Sequence, residues 1–217
     1  MVDSLLIYIV VAYVISFVPF IGRYVTVINT LVHENGHAIA ALLLKGKVYS
    51  IKLFMNTEGE AVTGQRGWFS SVVTAYAGYT CSSLVAYLCV YFLHRGQIVW
   101  ILYGFLAIAL VNLILWIRNL YGIVWLLSFV VLCWWTVYNG PLFLQTFVAY
   151  FLTAVLLTQS VLSAFQIFIL SVLKRKEAGD ATSLAHYTSI PAMFWGALFL
   201  VQSLYVAYQA VEPLVNF

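Results

Sequence analysis

Long runs of apolar residues dominate the chain, and short polar segments separate them. A run of about 17–25 apolar residues is long enough to cross the hydrocarbon core of a bilayer as a helix. Because backbone groups in hydrocarbon must bond one another, these runs should be helices. The pattern predicts roughly seven spans, with the sixth long enough to be tilted or broken. They lie at Leu5–Phe20, Tyr24–Leu44, Trp68–Leu93, Ile98–Ile117, Leu120–Tyr138, Leu142–Leu173 and Thr188–Val211.

The connection between the second and third runs has a different pattern. Val48–Met55 is typical of an extended segment, Asn56–Gly59 supplies turn residues, and Glu60–Thr63 is a second short extended segment. A β-hairpin-like cytoplasmic or re-entrant loop is therefore expected here. The fold class that follows is an all-α polytopic membrane protein with about six to seven transmembrane helices, organised as a single transmembrane domain over residues 1–217.

Composition excludes a soluble globular domain. The chain is 64% hydrophobic and 8% charged, against about 25% charged residues in soluble domains. The basic residues stand singly or between apolar runs, so a nucleic-acid partner is not expected. The first run follows no Lys or Arg and precedes no small-residue cleavage site, which indicates a retained span rather than a signal peptide.

The basic residues also predict an orientation. With seven spans, Arg23 and Arg95 fall on one side, and the other eight Lys and Arg residues fall on the opposite side. Short loops rich in Lys and Arg stay in the cytoplasm, so the richer side, and with it the N-terminus, is predicted to be cytoplasmic. That side carries Lys45, Lys47, Lys52, Arg66, Arg118, Lys174, Arg175 and Lys176.

One motif inside the second run carries chemistry. Residues 33–37 read His-Glu-Asn-Gly-His, and on a helix residues four apart share one face. The imidazoles of His33 and His37 can therefore bind one Zn²⁺ ion, with Glu34 placed as general base for a zinc-bound water. Ionisable groups are costly inside a membrane, which favours a functional site over a polar cluster that only ties helices together. Gly36 would let another backbone approach closely, for packing or for the site.

A catalytic zinc ion needs a third protein ligand. Asp180 is the preferred candidate because it follows a glycine and precedes the last apolar run, although it could instead cap that helix. His186, six residues later, is the second choice. To reach the metal, residues 179–188 must dip into the protein, and Pro191 could supply the bend. The other acidic or histidine candidates are Asp3, Glu58, Glu60, His94, Glu177 and Glu212.

Two further positions are candidates for substrate contacts. Asn119 follows Arg118 at the boundary between two runs and could donate to a substrate carbonyl or an oxyanion. The predicted hairpin could hold an unwound substrate by β-addition to an exposed strand edge, with Ile51 in that edge.

In their order along the chain, several segments resemble the site-2 protease group of intramembrane zinc metallopeptidases, and most closely its compact prokaryotic branch. They are Asn29–Ala38, Ala77–Tyr79, Arg118–Gly122 and Gly179–Ala181, followed by Pro191 and Trp195. The resemblance implies cleavage of a membrane-embedded peptide bond in a prokaryotic cell membrane. It also implies His33, His37 and Asp180 as zinc ligands and Glu34 as base.

The chain departs from that family pattern in two places. It lacks the Asn-Pro-Asp-Gly type of motif, and Thr80 stands where the branch has a further glycine after Ala77–Tyr79. The expected partners are a membrane protein or peptide substrate and the lipid bilayer. The alternative function is that of a metal-binding membrane scaffold or sensor without peptidase activity.

Overall fold

The computed structural model describes residues 2–215, and side chains for residues 5–212. Within these residues there are eight helices and one small antiparallel sheet that packs mainly on α2, as expected of an all-α polytopic membrane protein. The helices are α1 Val2–Ser16, α2 Ile21–Leu43, α3 Trp68–His94, α4 Ile98–Leu115, α5 Leu120–Asn139, α6 Leu142–Leu173, α7 Gly179–Thr188 and α8 Ala192–Val215. The strands are β1 Lys47–Leu53 and β2 Gly59–Gly64.

Five helices in the described part of the chain, α3, α4, α5, α6 and α8, are each long and apolar enough to span a bilayer. The pair α1 and α2 adds at most a sixth span, and its two helices change direction by 111°. α1 has 15 residues, about 22 Å at 1.5 Å per residue, which is shorter than a hydrocarbon core of about 30 Å. In the described part of the chain the span count is therefore five to six, fewer than the seven runs of the sequence pattern, and the cytoplasmic N-terminus stays a prediction.

The sixth apolar run folds with the predicted bounds, whereas the seventh starts later than predicted. α6 is one continuous helix of 32 residues, about 48 Å long, so it is unbroken and long enough to be tilted in a bilayer. The last run starts at Ala192 rather than Thr188, because Pro191 cannot continue a helix that needs its backbone N–H. The residues between these helices form the separate short helix α7.

The predicted hairpin is present and folds back along α2. Its register runs from Lys47 opposite Gly64 to Leu53 opposite Gly59. Near the turn, the Thr30 hydroxyl donates to the Thr57 carbonyl over 2.7 Å. Thr30 lies 13 residues before the end of α2 at Leu43, which is about 20 Å along the helix axis. The hairpin turn therefore lies beside the middle of α2 rather than at its end.

The outer edge of β1 is already occupied. The Ile51 N–H donates to the Trp116 carbonyl (2.7 Å), and the Arg118 N–H donates to the Ile51 carbonyl (3.2 Å). The backbone N–H and C=O of Ile51 thus point away from β2, so Ile51 and Ala61 form a non-hydrogen-bonded pair. The backbone N–H and C=O of Ala61 therefore point away from β1. The open edge of the sheet is that of β2.

Two residues in the left-handed region flank α7. Gly179, the first residue of α7, has φ +46° six residues after the end of α6, and Ser189 has φ +62° at the C-terminus of α7. These turns let the short helix leave α6 and pack against α3 and α8. The Trp68 indole N–H donates to the Tyr187 carbonyl over 2.5 Å and ties the end of α7 to the start of α3. Asp180, in the first turn of α7, is thereby directed inward.

Candidate metal centre

The histidine pair lies on one face of α2, as the spacing of four predicts. The ring centroids of His33 and His37 are 4.8 Å apart, and their Nε2 atoms are 3.1 Å apart. Asn35 lies on another face, where its amide oxygen accepts a hydrogen bond from the Asn112 amide over 2.9 Å. This buried contact with α4 fixes the rotation of α2 about its axis, and with it the direction of both imidazoles.

Asp180 completes a three-residue cluster. Its Oδ2 atom lies 3.1 Å from His33 Nε2 and 3.3 Å from His37 Nε2. The N-cap residue of α7 is Ala178, which has no capping side chain, and the Asp180 carboxylate contacts the imidazoles rather than the helix end. Among the residues that the structure describes, these three form the one group of His, Cys, Asp and Glu side chains close enough to hold a metal ion.

The spacing of the three ligand atoms fits a zinc ion. Tetrahedral zinc with bonds of about 2.0–2.1 Å to nitrogen and oxygen requires ligand atoms about 3.3 Å apart. The three observed separations are 3.1, 3.1 and 3.3 Å. A triangle of this size can form one face of a tetrahedron and leave the fourth position for water or substrate.

Neighbouring groups on α3 orient the imidazoles. His37 Nδ1 donates to the Thr74 carbonyl over 2.7 Å, which leaves Nε2 as the lone-pair nitrogen when the ring is neutral. Tyr79 packs edge-to-face on His33, with ring centroids 4.6 Å apart, and is itself backed by Phe199 of α8. Both rings are thus held by hydrogen bonding or packing before any ligand binds.

Gly78 provides the space next to the ligand nitrogens. A Cβ atom built on it would lie 2.5 Å from His33 Nε2 and 2.6 Å from His37 Nε2. Any other residue would fill the position that an ion needs. Gly78, the glycine of the Ala77–Tyr79 segment, is therefore required because a larger side chain would collide with the imidazoles.

The electrostatics of Asp180 suit a ligand. Burial alone would raise the pKa of its carboxyl group, but the imidazoles of His37 and His33 outweigh that effect and lower the pKa below its usual value. The imidazoles therefore favour the ionised form of the Asp180 carboxylate.

Glu34 lies beside the cluster and is only 6% exposed. The backbone of Ala61, on the open edge of β2, lies near its carboxylate. A Cβ built on Gly59 would lie 2.5 Å from Glu34 Oε1, so the second strand begins in direct contact with this side chain. The hairpin thus forms one wall of the site.

A cavity of about 610 Å³ opens onto all of these groups. Its lining includes the ligand cluster and Glu34. The β2 edge lines one side, and Asp180, Ser183 and Tyr187 of α7 line the other. Such a space can admit an extended peptide segment and water to a metal site that is otherwise enclosed by protein.

The remaining predicted residues lie elsewhere. His186 is exposed on α7 and outside the cluster. Ile51 is fully buried with its backbone groups bonded, so the exposed edge expected there belongs to β2 instead. The Asn119 amide bonds the backbone of Leu53 in both directions, at 3.2 and 2.6 Å, and neither Asn119 nor Ile51 lines the cavity. Both residues thus have a structural role beside β1, and contacts of either with substrate stay a prediction.

The other candidates have simpler positions. The missing side chain of Gly36 allows close packing on α3, because an added Cβ would lie 2.7 Å from the Ala77 carbonyl oxygen. The side chain of Asp3 lies outside the described residues. Sequence reasoning missed the roles of Thr74 and Gly59, since a backbone carbonyl and a hairpin glycine carry no chemical signature. The resemblance of the Ala77–Tyr79 segment to the family pattern was the one feature of the sequence that pointed to Gly78 and Tyr79.

Comparison with known proteins gives one match. The sequence model of a peptidase family, described as Peptidase M50B-like, matches residues 6–210, nearly the whole chain. Neither the curated proteins nor the solved structures contain a match.

Proposed function

The chain belongs to the Peptidase M50B-like family, and from this premise we propose that it is an intramembrane zinc metalloprotease. The observation that carries the proposal is the convergence of His33 Nε2, His37 Nε2 and Asp180 Oδ2 within 3.3 Å of one another. This cluster lies in a cavity that Glu34 also lines. The reaction proposed is hydrolysis of a peptide bond in a membrane-embedded substrate.

Each residue has a distinct role in this proposal. His33, His37 and Asp180 would hold the ion, and a bound zinc ion supplies Lewis-acid polarisation and an acidified water. Glu34 accepts the proton of the attacking water and returns it to the leaving amide nitrogen, so one water is consumed for each bond broken. The contact of its carboxylate with Gly59 of β2 keeps it at the cavity wall.

The substrate must unwind before its peptide bond can be attacked, because a helix buries its own backbone groups. The open edge of β2 offers unpaired backbone groups beside Glu34, and this supports β-addition of the unwound segment there. The proposal thus keeps the predicted mode of substrate binding but transfers it from β1 to β2.

The test compares the unmodified protein with the Glu34→Gln variant in lipid vesicles. The probe is a panel of single-span peptides with a central helix-breaking segment. We expect cleavage by the unmodified protein, about one zinc ion per chain in both proteins, and a loss of rate of at least about 10²-fold in the variant. A chelator should stop cleavage, and added zinc should restore it.

Glu177→Gln is the matched control, since it removes another cavity carboxylate that is exposed and paired with Lys174. Equal turnover in the Glu34→Gln variant would contradict the proposed base. Metal binding without cleavage of any peptide would instead favour a scaffold or sensor.

A further inference from the structure

The cavity is unusually acidic for this chain. Five of the seven acidic residues in the sequence line it, whereas within the described residues none of the ten Lys and Arg side chains does. The five are Glu34, Glu58, Glu60, Glu177 and Asp180. A cavity of one sign attracts ligands of the opposite sign.

The five carboxylates of the cavity differ in whether a cationic side chain pairs with them. Glu60 pairs with Lys52 at 2.8 Å, and Glu177 pairs with Lys174 at 3.1 Å. Glu34 and Asp180 belong to the proposed catalytic centre. In the part of the chain that the structure describes, no ion pair reaches Glu58, whose carboxylate accepts a hydrogen bond from the neutral Asn56 amide over 2.7 Å.

Glu58 is also accessible from the cavity, since it is exposed and lines it. It is in the hairpin turn, directly before Gly59, which contacts Glu34. The Thr30–Thr57 hydrogen bond holds this turn about 20 Å from the end of α2. A cation that enters the cavity can therefore reach a carboxylate that has no counter-charge among the described residues.

A second, independent observation concerns Asn29. It is 5% exposed and lines the cavity one helical turn before His33. Its Nδ2 donates to Ser163 Oγ over 3.4 Å, but among the described residues its Oδ1 has no hydrogen-bond partner. Buried acceptors without partners are rare because they are costly, so this oxygen indicates a ligand that donates hydrogen bonds.

The two groups lie at the same end of the cavity, because Thr30 and Thr57, which hydrogen-bond each other, are their immediate neighbours in sequence. A carboxylate and an amide oxygen are both acceptors. Lys and Arg side chains carry several donors and no acceptor. They are the peptide side chains that satisfy such a pair best.

We infer that the cavity selects substrate segments carrying a Lys or Arg residue, whose cationic group binds Glu58 and the Asn29 amide oxygen. This inference rests on the proposed function and adds its substrate class. Glu58 lies three residues from Ala61, or about 10 Å along a strand. The basic residue is therefore expected within about four residues of the scissile bond.

The experiment measures binding rather than cleavage. The protein is the Glu34→Gln variant in lipid nanodiscs. The probes are fluorescent single-span peptides in which one residue near the central break is Lys, Met or Glu. Lys and Met have similar lengths, so their comparison isolates the charge. We expect the Lys peptide to bind at least about fivefold more tightly than the Met peptide.

Substitutions at Glu58 then test whether this residue causes the preference for the Lys peptide. Adding Glu58→Gln should bring the Lys-to-Met ratio close to one, and Glu58→Lys should make the Glu peptide the tightest binder. The matched control, Glu177→Gln, removes a cavity carboxylate that already has a cation and should keep the ratio within about twofold. Zinc content checks that each variant retains its fold.

Equal binding of the Lys and Met peptides to the Glu34→Gln protein would overturn the inference by itself, before any Glu58 variant is measured. A Lys preference that survives Glu58→Gln, or that Glu177→Gln removes equally well, would also overturn it. Cleavage by the unmodified protein is scored separately. Absence of cleavage with the Lys preference intact would reject the proposed function alone, whereas cleavage without the preference would reject this inference alone.

Discussion

Gly78 lies so close to His33 that a Cβ atom on the glycine would be 2.5 Å from the imidazole Nε2. The two residues come from different helices, α3 and α2, and no sequence pattern joins them. Their approach shapes the space in which a metal ion would sit. Substitution of Gly78 is therefore expected to act on the metal site directly.

Gly78→Ala should weaken zinc binding by at least about tenfold and reduce cleavage in proportion, because the new methyl group occupies the ligand space. Alanine is favoured over glycine in a helix by about 1 kcal/mol, so lost metal would not reflect a weaker helix. Metal content and a zinc titration provide the measurement. Gly104→Ala, on α4 with nothing within 4 Å of the added Cβ, is the control and should bind zinc normally.

Gly59→Ala should separate catalysis from metal binding. The added Cβ would lie 2.5 Å from Glu34 Oε1 and 2.7 Å from Thr30 Cγ2, so the hairpin or the carboxylate must shift. We expect a loss of rate on the order of 10²-fold, as for a displaced general base, with zinc content unchanged. Gly67→Ala, where an added Cβ meets nothing within 4 Å, should cleave at the normal rate. Equal rates for the two variants would contradict the placement of Glu34 against β2.

Asp180→Ala and His186→Ala test the third ligand. Asp180 Oδ2 is 3.1 Å from His33 Nε2, whereas His186 is exposed outside the cluster. The first variant should lose most of its zinc, since two protein ligands remain, and the second should keep about one ion per chain. Elemental analysis of the purified proteins decides between them, and the opposite pattern would transfer the role to His186.

Ile51→Pro and Ala61→Pro test which strand edge binds substrate. Proline at Ile51 removes the N–H that bonds Trp116 in a buried position, so it should lower the melting temperature and, through it, the activity. Proline at Ala61 removes an N–H that points away from β1 and should slow cleavage with a smaller loss of stability. Thermal unfolding and peptide cleavage are measured on both. If only Ile51→Pro lowered the cleavage rate, with the melting temperature unchanged, β1 rather than β2 would be the strand that binds substrate.

The sequence predicted local features well because local physics decides them. Apolar runs require helices in lipid, and an Asn-Thr-Glu-Gly turn between extended segments favours a hairpin. The spacing of His33 and His37 places them on one helical face wherever the helix lies. Asp180 was preferred as third ligand, but its 147-residue separation from His33 left His186 as an open alternative.

Other features could not be predicted, since they depend on how distant segments meet. The sequence gives no sign that Trp116–Arg118 would pair with β1, so the open edge was assigned to Ile51 rather than β2. Asn119 has the chemistry to bind substrate, yet the backbone of Leu53 uses both ends of its amide. Its role was decided by a neighbour 66 residues away.

The sequence alone determined that this chain is a membrane protein that folds as helices with one hairpin. It also determined that two imidazoles and a carboxylate lie within about one and a half turns of one helix. These follow from solvent, helical periodicity and turn chemistry, which act over a few residues. The tertiary structure alone decided which carboxylate meets the imidazoles, which glycine leaves room beside them, and which strand edge faces Glu34. Those depend on packing between elements far apart in the chain, where close approach and satisfied hydrogen bonds select one arrangement among many.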